Sequence, residues 1–342
     1  MKITLIGCGR DAHPYAVSIG NHPAMELVSV VDSNPEKARS FGASFNCLYY
    51  TSLDEYLSGN QIADCSVVCT PPENNADIVT RLMERGYSVL CENPFALDSA
   101  SAEKMTELSG AVGVQLMAGS RFRYLTDIIH SRGLIQSGIL GRILVFEIDF
   151  RDFADTDIYA NFWMDRGTHG ALTNRGNHAI DIARYFFGPL LRIRAEATPN
   201  PRTSQFKGNV RLDMRTVSGV IGTAQLSCNI KSTREDYIRI YGTQGTLCVG
   251  WNTSVYRLNG FADWTEFGEG YSTQKAITRQ MENLLHAIKR KGIPETTAED
   301  GCESARAIEA AYQSLSSRQW INVVSRTTPK RIERNFRVLR PA

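Results

Sequence analysis

The sequence predicts an α/β chain: an N-terminal doubly wound parallel sheet, then a C-terminal α+β domain with an open, mainly antiparallel sheet. Three observations carry that expectation. The chain opens on an aliphatic strand that runs into G-x-G-x-x-A and then a helical segment. Strand-like apolar runs alternate with helical ones as far as residue 118. Beyond that point strand follows strand, with Gly- and Asn-type turns between. At 342 residues the chain is long for one core, so two domains are expected. The division is 1–118, 119–324 and a basic C-terminal tail, 325–342, to which no function is assigned.

The opening stretch, MKITLIGCGRDAHPYAVSIG, places Gly7, Gly9 and Ala12 directly after the first strand. Gly7 permits the tight turn, Gly9 lets the backbone approach a pyrophosphate, and Ala12 lets the helix pack close on the strand. Phosphates would sit at the helix N-terminus, beside Arg10 and Asp11, where free N–H groups and the dipole favour anions. Pro14 suits the first turn of that helix. The second strand, MELVSVVDSN, ends in Asp32, at about the 20-residue interval expected of the acidic residue that binds an adenosine ribose. Its carboxylate would accept from the ribose hydroxyls and repel a 2′-phosphate, so NAD is expected ahead of NADP. This is the pattern of a Rossmann dinucleotide-binding domain.

The alternation continues through a helix from Asn34-Pro35-Glu36, a short strand at CLYY, a helix at SLDEYL and strand ADCSVVCT. Helix ENNADIVTRLMERG, strand SVLCENP, a helix from Ser99 through Leu108 and strand GVQLMAGS follow. Ligands of such sheets bind at the carboxyl ends of the strands. Thr70, Pro71, Glu92, Asn93 and Pro94 all fall there, which places a site.

In the second half, ILVFEIDF, LRIRAEAT, NVRLDMRTV, VIGTAQLSC and DYIRIYGTQGTLCV are strand-like. They suggest a sheet with one face packed on helices and the other available for contacts between copies. Helices near QKAITRQMENLLHAIKRKG and EDGCESARAIEAAYQSL are expected to complete this domain. In GALTNRGNHAIDIARYFFG, Asn174, His178 and Asp181 fall at i, i+4 and i+7, a polar stripe on one helix. Gly176 sits among them at the expense of helix stability, which suggests close approach by a ligand or backbone. The alternative reading of His178 is a core histidine held by Asp181.

A net charge of +2 is too small to make nucleic acid or an anionic membrane the main partner. No apolar run approaches the ~20 residues that span a bilayer, and the start has no signal-peptide pattern. The eight cysteines lack the paired spacing of a zinc site, so no metal is expected, and reduced thiols in a cytoplasmic protein are the simplest reading.

Taken in order, IGCGRDA, VVD, CTPPENN, CENP, Arg121-Phe122, SGILGRI, GALTNRGNHAIDIARYFFG, YGTQGTL and IPETTAEDG resemble the Gfo/Idh/MocA family, the glucose–fructose oxidoreductase and inositol dehydrogenase group. The resemblance covers residues 1–324. It implies an NAD(P)-dependent oxidoreductase of a sugar, cyclitol or related polyol; the open sheet face makes a homo-oligomer (dimer or tetramer) the expected assembly. In that family the segment matching CENP usually has E-K-P, and the segment matching NRGNH has D-x-G-x-H. The lysine, aspartate and histidine there surround the carbon that exchanges hydride. This chain has Asn93 at the lysine, Asn174 at the aspartate and His178 at the histidine, while Asn75 stands where the family often has histidine. An amide donates a hydrogen bond but moves no proton. Of the three, His178 alone keeps acid/base capacity near neutral pH.

The resemblance therefore implies His178 as acid/base, with Asn93, Asn174 and Arg121 binding substrate. Arg123, Arg166 and Arg175 are further cations with no assigned role. Two other readings stay open, the first motivated by the two lost ionisable groups and the second by the resemblance alone. One is a dinucleotide-binding sensor or regulatory protein without turnover. The other is non-redox chemistry through transient oxidation. The segment from Phe153 to Thr168 is expected to shape the substrate pocket.

Overall fold

The computed structural model describes residues 1–59, 63–151, 170–198, 208–228, 230, 232–290 and 292–323. The segment Phe153 to Thr168, with Arg166, and the basic tail lie outside the described residues. The chain divides into two compact units. The first comprises 1–133, 249–254 and 266–305; the second comprises 134–248, 255–265 and 306–342.

The first unit is built on a six-stranded parallel sheet. Its strands are β1 (Lys2–Ile6), β2 (Glu26–Val31), β3 (Leu48–Tyr50), β4 (Cys65–Val68), β5 (Ser88–Glu92) and β6 (Leu116–Gly119), in the order β3-β2-β1-β4-β5-β6. The order reverses between β1 and β4, which makes their carboxyl ends the topological switch point. Burial on both faces explains the unbroken apolar runs: β4 and β5 are buried at every position. The connecting helices include α1 (His13–Gly20), α2 (Pro35–Phe45), α3 (Leu53–Ser58), α4 (Asn75–Glu84) and α5 (Ser99–Val112). Asn34 caps α2 by accepting from the N–H groups of Glu36 and Lys37, and Pro35 opens it where no amide hydrogen is needed. A 3₁₀ turn, Arg10–Ala12, intervenes between the glycines and α1. A further helix, α6, spans Thr126–Gln136.

The second unit carries α7 (Asn177–Phe187) and most of a nine-stranded sheet. The strands are β7 (Ile143–Arg151), β8 (Leu190–Thr198), β9 (Asn209–Thr216), β10 (Ile221–Ser227), β11 (Asp236–Gly242), β12 (Gly245–Gly250), β13 (Ser254–Leu258), β14 (Thr265–Phe267) and β15 (Ile321–Asn322). Their order is β14-β13-β12-β11-β7-β10-β9-β8-β15. β7 and β10 pair in parallel, whereas β8–β9, β9–β10, β7–β11, β12–β13 and β8–β15 are antiparallel. Alternation is clean along β9, where Val210, Leu212 and Met214 are buried while Arg211 and Arg215 are exposed. On the half-exposed face the register sets Arg194 opposite Asp213 and Glu196 opposite Arg211, opposite charges across neighbouring strands.

Helix α8 (Thr273–Arg290) lies in the first unit and packs on α1. Its buried stripe, Ala276, Ile277, Gln280, Met281 and Leu284, gives it an apolar face for that contact. The last helix, α9 (Ala298–Ser317), follows.

Candidate active site

Gly7 has φ +94°, and a Cβ there would meet the Cys69 carbonyl oxygen at 2.9 Å and Thr70 N at 3.1 Å. Only glycine allows this turn to lie against the end of β4. Gly9 differs: among the described residues, a Cβ built on it meets nothing within 4 Å. The space over Gly9 is open, as close approach of a pyrophosphate requires. Beyond it, Arg10 and Asp11 are exposed and Ala12 is fully buried.

Asp32 is tied to the same turn. One carboxylate oxygen accepts from Cys8 N at 2.7 Å and the other from Asn34 N at 2.8 Å. The turn geometry of a strand-ending aspartate and a ribose-binding role are thus compatible, because a carboxylate has about four acceptor sites and each oxygen keeps one. Burial, followed by the charge of Asp32, raises the Cys8 thiol to about 12, so this cysteine is a neutral packing group.

At the next strand ends, Thr70 Oγ1 donates to Asn75 Oδ1 at 2.8 Å, and Asn75 Nδ2 donates to the Pro94 carbonyl at 2.9 Å. Asn75 is buried and straps the turn after β4 to the turn after β5. Pro71 leads into a 3₁₀ turn, Pro72–Asn74, ahead of α4. The Asn93–Pro94 peptide is cis.

Glu92 ends β5 and is buried. Its Oε2 accepts from Asn93 N at 2.5 Å, and its Oε1 lies 3.0 Å from Tyr15 Oη and 3.7 Å from Arg121 Nη1. Room for it comes from β6, since a Cβ at Gly119 would stand 2.6 Å from Glu92 Cα. Burial is the largest influence on this carboxyl and raises its pKa. Arg121 and the Asn93 and Tyr15 donors pull it down, Asp11 pushes it up, and the net shift is upward. Arg123, by contrast, is buried against Asp300 at 3.1 Å, a structural pair and not a site cation.

In the second unit, Leu172–Gly176 form a π turn that leads into α7, so Asn174 and Arg175 sit in a wider turn than helical spacing suggested. A π turn bonds i to i+5, so the Thr173 carbonyl loses its usual partner four residues on. The side chain of Asn177 takes it, donating from Nδ2. Thr173 Oγ1 lies 2.8 Å from Tyr312 Oη, which anchors the turn. Asn174 is half-buried, whereas His178 and Asp181 are buried in α7. Gly176 faces packed side chains: a Cβ there would meet Leu172 Cδ1 at 2.9 Å, Ile308 Cδ1 at 3.3 Å and Leu226 Cδ1 at 3.4 Å.

The first unit therefore brings Gly7, Gly9, Arg10, Asp11, Ala12, Asp32, Thr70, Pro71, Glu92, Asn93 and Arg121 to one end of its parallel sheet, while Asn174 and His178 belong to the second unit. Sequence reasoning missed Tyr15 and Gln280, whose side chains meet Glu92 directly or through one hydroxyl. For Gln280 a signal existed: a glutamine within the apolar stripe of an amphipathic helix.

An open glycine turn, a carboxylate bound to it and a switch point between β1 and β4 define a dinucleotide-binding α/β protein. Family models match both parts of the chain. Residues 1–120 match an oxidoreductase family with an NAD-binding Rossmann fold, and residues 132–323 match the C-terminal alpha/beta domain of the same oxidoreductase family. The chain belongs to the Gfo/Idh/MocA oxidoreductase family. A D-apiose dehydrogenase of Paraburkholderia graminis is 24% identical over 334 residues, covering 93% of this chain and 88% of that one. An inositol 2-dehydrogenase of Rhizobium meliloti is 22% identical over 341 residues, covering 94% and 99%. A levoglucosan dehydrogenase, solved with NADH and levoglucosan, shares the fold with a TM-score of 0.86 at 18% identity, covering 94% of this chain and 99% of that one. Among the described residues, no helix is long and apolar enough to cross a membrane, and no cluster of His, Cys, Asp or Glu could hold a metal ion.

Proposed function

We propose that this protein is an NAD-dependent dehydrogenase or reductase of a sugar, cyclitol or related polyol, acting on a CH–OH group or the matching ketone. The carrying observation is the open space over Gly9, in a turn held by Asp32 through Cys8 N. The relatives named for D-apiose and inositol support the substrate class.

In this reading Gly7, Gly9, Arg10, Asp11 and Ala12 hold the pyrophosphate. Asp32 accepts from the adenosine ribose, and its charge disfavours a 2′-phosphate. Thr70, Pro71, Glu92 and Asn93 line the remaining strand ends. Bound NAD supplies a hydride acceptor at its nicotinamide. His178 takes the hydroxyl proton during oxidation and returns it during reduction. Asn93 and Asn174 hold the substrate oxygen without moving a proton, and Arg121 adds positive charge.

The role of residues 1–118 is cofactor binding; that of 119–324 is substrate binding and assembly. Assembly as a dimer or tetramer is assigned to the half-exposed sheet face, where Leu191 is 45% and Ile221 is 50% exposed. Eight cysteines free of disulfides are in keeping with a cytoplasmic protein.

Absorbance near ~340 nm, followed while NAD or NADH is mixed with D-apiose, myo-inositol, levoglucosan and keto-sugars, tests the reaction. Turnover with at least one polyol or ketose is expected. Tight NADH binding with no turnover across the panel would favour the sensor reading instead.

A further inference from the structure

Tyr15 and Gln280 belong to no cofactor motif, yet both converge on Glu92. The Tyr15 hydroxyl lies 3.0 Å from Glu92 Oε1 and 3.0 Å from Gln280 Oε1, and all three side chains are buried. One hydroxyl proton cannot serve two acceptors. Both contacts are hydrogen bonds when Glu92 is neutral: its O–H donates to Tyr15, and Tyr15 donates to Gln280. Gln280 Nε2 is buried and has no hydrogen-bond partner among the described residues. Half a turn of the amide, which leaves its shape unchanged, aims that N–H at the Tyr15 oxygen. Tyr15 then donates to an ionised Glu92. The trio thus accommodates either charge on Glu92 without moving the backbone.

The charge matters at the other carboxyl oxygen, which accepts Asn93 N at 2.5 Å. A carboxylate holds an N–H roughly twice as strongly as a neutral acceptor does. Around Glu92 stand Arg121 at 3.7 Å, Asp11 from the glycine turn and the Cys91 thiol from its own strand, with Cys69 from the end of β4. Tyr271 faces Arg121. Asn93 itself brings no charge.

We propose that Tyr15 and Gln280 are positioning residues acting through Glu92: together they hold a buried carboxyl in either of two proton arrangements, and its ionised form fixes the main chain at Asn93 for cofactor binding. The proposal rests on the dinucleotide-binding reading. Burial places the titration of Glu92 above the ordinary carboxylate range, so acidification releases Asn93 before exposed carboxylates protonate.

Fluorescence titration of the full chain with NADH, from mildly acid to alkaline pH, tests this. In the wild type, affinity should fall on acidification with a midpoint above the ordinary carboxylate range. Tyr15→Phe removes a donor to the ionised form, so the midpoint should move to higher pH. Glu92→Gln, isosteric and without a titrating proton, should bind NADH about tenfold more weakly than the wild-type plateau, with no acid limb. A Tyr15→Phe midpoint unchanged beneath a uniform drop in affinity would show that Tyr15 only packs, and would overturn the proposal. An acid limb that survives in Glu92→Gln would overturn it too. Wild-type protein that binds no NADH at any pH would overturn the dinucleotide reading, and this proposal with it.

Discussion

In the first unit, buried carboxylates are held mainly by neutral donors. Glu92 is met by the Tyr15 hydroxyl and the Asn93 N–H. Asp127 is met by Ser254 Oγ and the N–H groups of Glu269 and Gly270. In the second unit, guanidinium groups hold Asp149 and Asp236. Asp149 pairs with Arg151 at 2.6 Å, and Asp236 accepts from both Arg234 and Arg239 at 2.9 Å. The consequences for charge are opposite. Burial outweighs every other influence on Glu92 and raises its pKa. Burial also pushes upward on Asp149 and Asp236, but the arginine hydrogen bonds and charges together exceed it, and both are lowered.

As pH rises from the ordinary carboxylate pKa through the folded value of Glu92, the unfolded chain has already released its proton, so this residue's contribution to stability declines. For Asp149 and Asp236 the contribution is complete above the ordinary pKa and is lost as pH falls through their folded values. The contrast separates a carboxyl suited to exchanging a proton from carboxylates suited to bracing a sheet. It also bears on the division of labour proposed above, in which the first unit binds the cofactor and His178 of the second moves the hydroxyl proton.

The largest effect that could break this division is on the chemical step. His178→Ala should slow single-turnover hydride transfer by about 10²–10⁴-fold, with NADH affinity little changed. Full activity in that variant would remove proton transfer from the second unit.

Two glycines sharpen the comparison next. Gly9→Val fills open space, so thermal stability should hold while NAD affinity by calorimetry falls by about 10–100-fold. Gly176→Ala should leave NAD affinity intact and change stability by no more than about 1 kcal/mol, because the atoms a Cβ would meet are flexible side-chain ends and the helix gains from alanine.

A smaller effect is expected at the sheet. Asp236→Asn should reduce denaturant stability by about 1–2 kcal/mol at neutral pH, since it keeps the shape but weakens the arginine pairing. The deficit should shrink as pH falls through the depressed value of the wild-type carboxyl. A deficit constant with pH would mean that the pairing is not electrostatic. The smallest effect is on cofactor choice. Asp32→Ser should narrow the preference for NADH over NADPH by about tenfold, a difference worth roughly 1.4 kcal/mol. Tighter NADPH binding by the wild type would refute the role of Asp32.

Much of this architecture was legible in the sequence because it is written locally. A strand, two glycines and a helix are neighbours in the chain, and the Asp32 interval is set by one βαβ passage. The alternation that predicts the parallel sheet, and its loss beyond residue 118, are also short-range patterns. What escaped depends on contacts between distant residues. Tyr15 looks like any core aromatic until Gln280, 265 positions away, is set beside it. In the sequence Asn75 only stands where the family often has histidine; that its amide straps Thr70 to Pro94 emerges only when the two turns are set side by side. The contact of helix α8 with α1 was not legible either, because an amphipathic stripe says that a face is buried, not against what. The π turn before α7 was invisible for a different reason. Periodicity assumes a constant number of residues per turn, and that turn has one too many.

That surplus residue acts as a gear tooth. Each residue of an α-helix advances it by about 100°, and a π turn is an α-helix that has absorbed one more. Deleting a single residue between Leu172 and Gly176 would shorten the segment only slightly. It would turn everything before the deletion by roughly that angle relative to His178. Thr173 would lose its alignment with Tyr312, and the amide of Asn177 would have no spare carbonyl to serve. Homologous chains aligned across this stretch with a one-residue gap would therefore aim different side chains at the position of Asn174, even where the letters beside the gap agree.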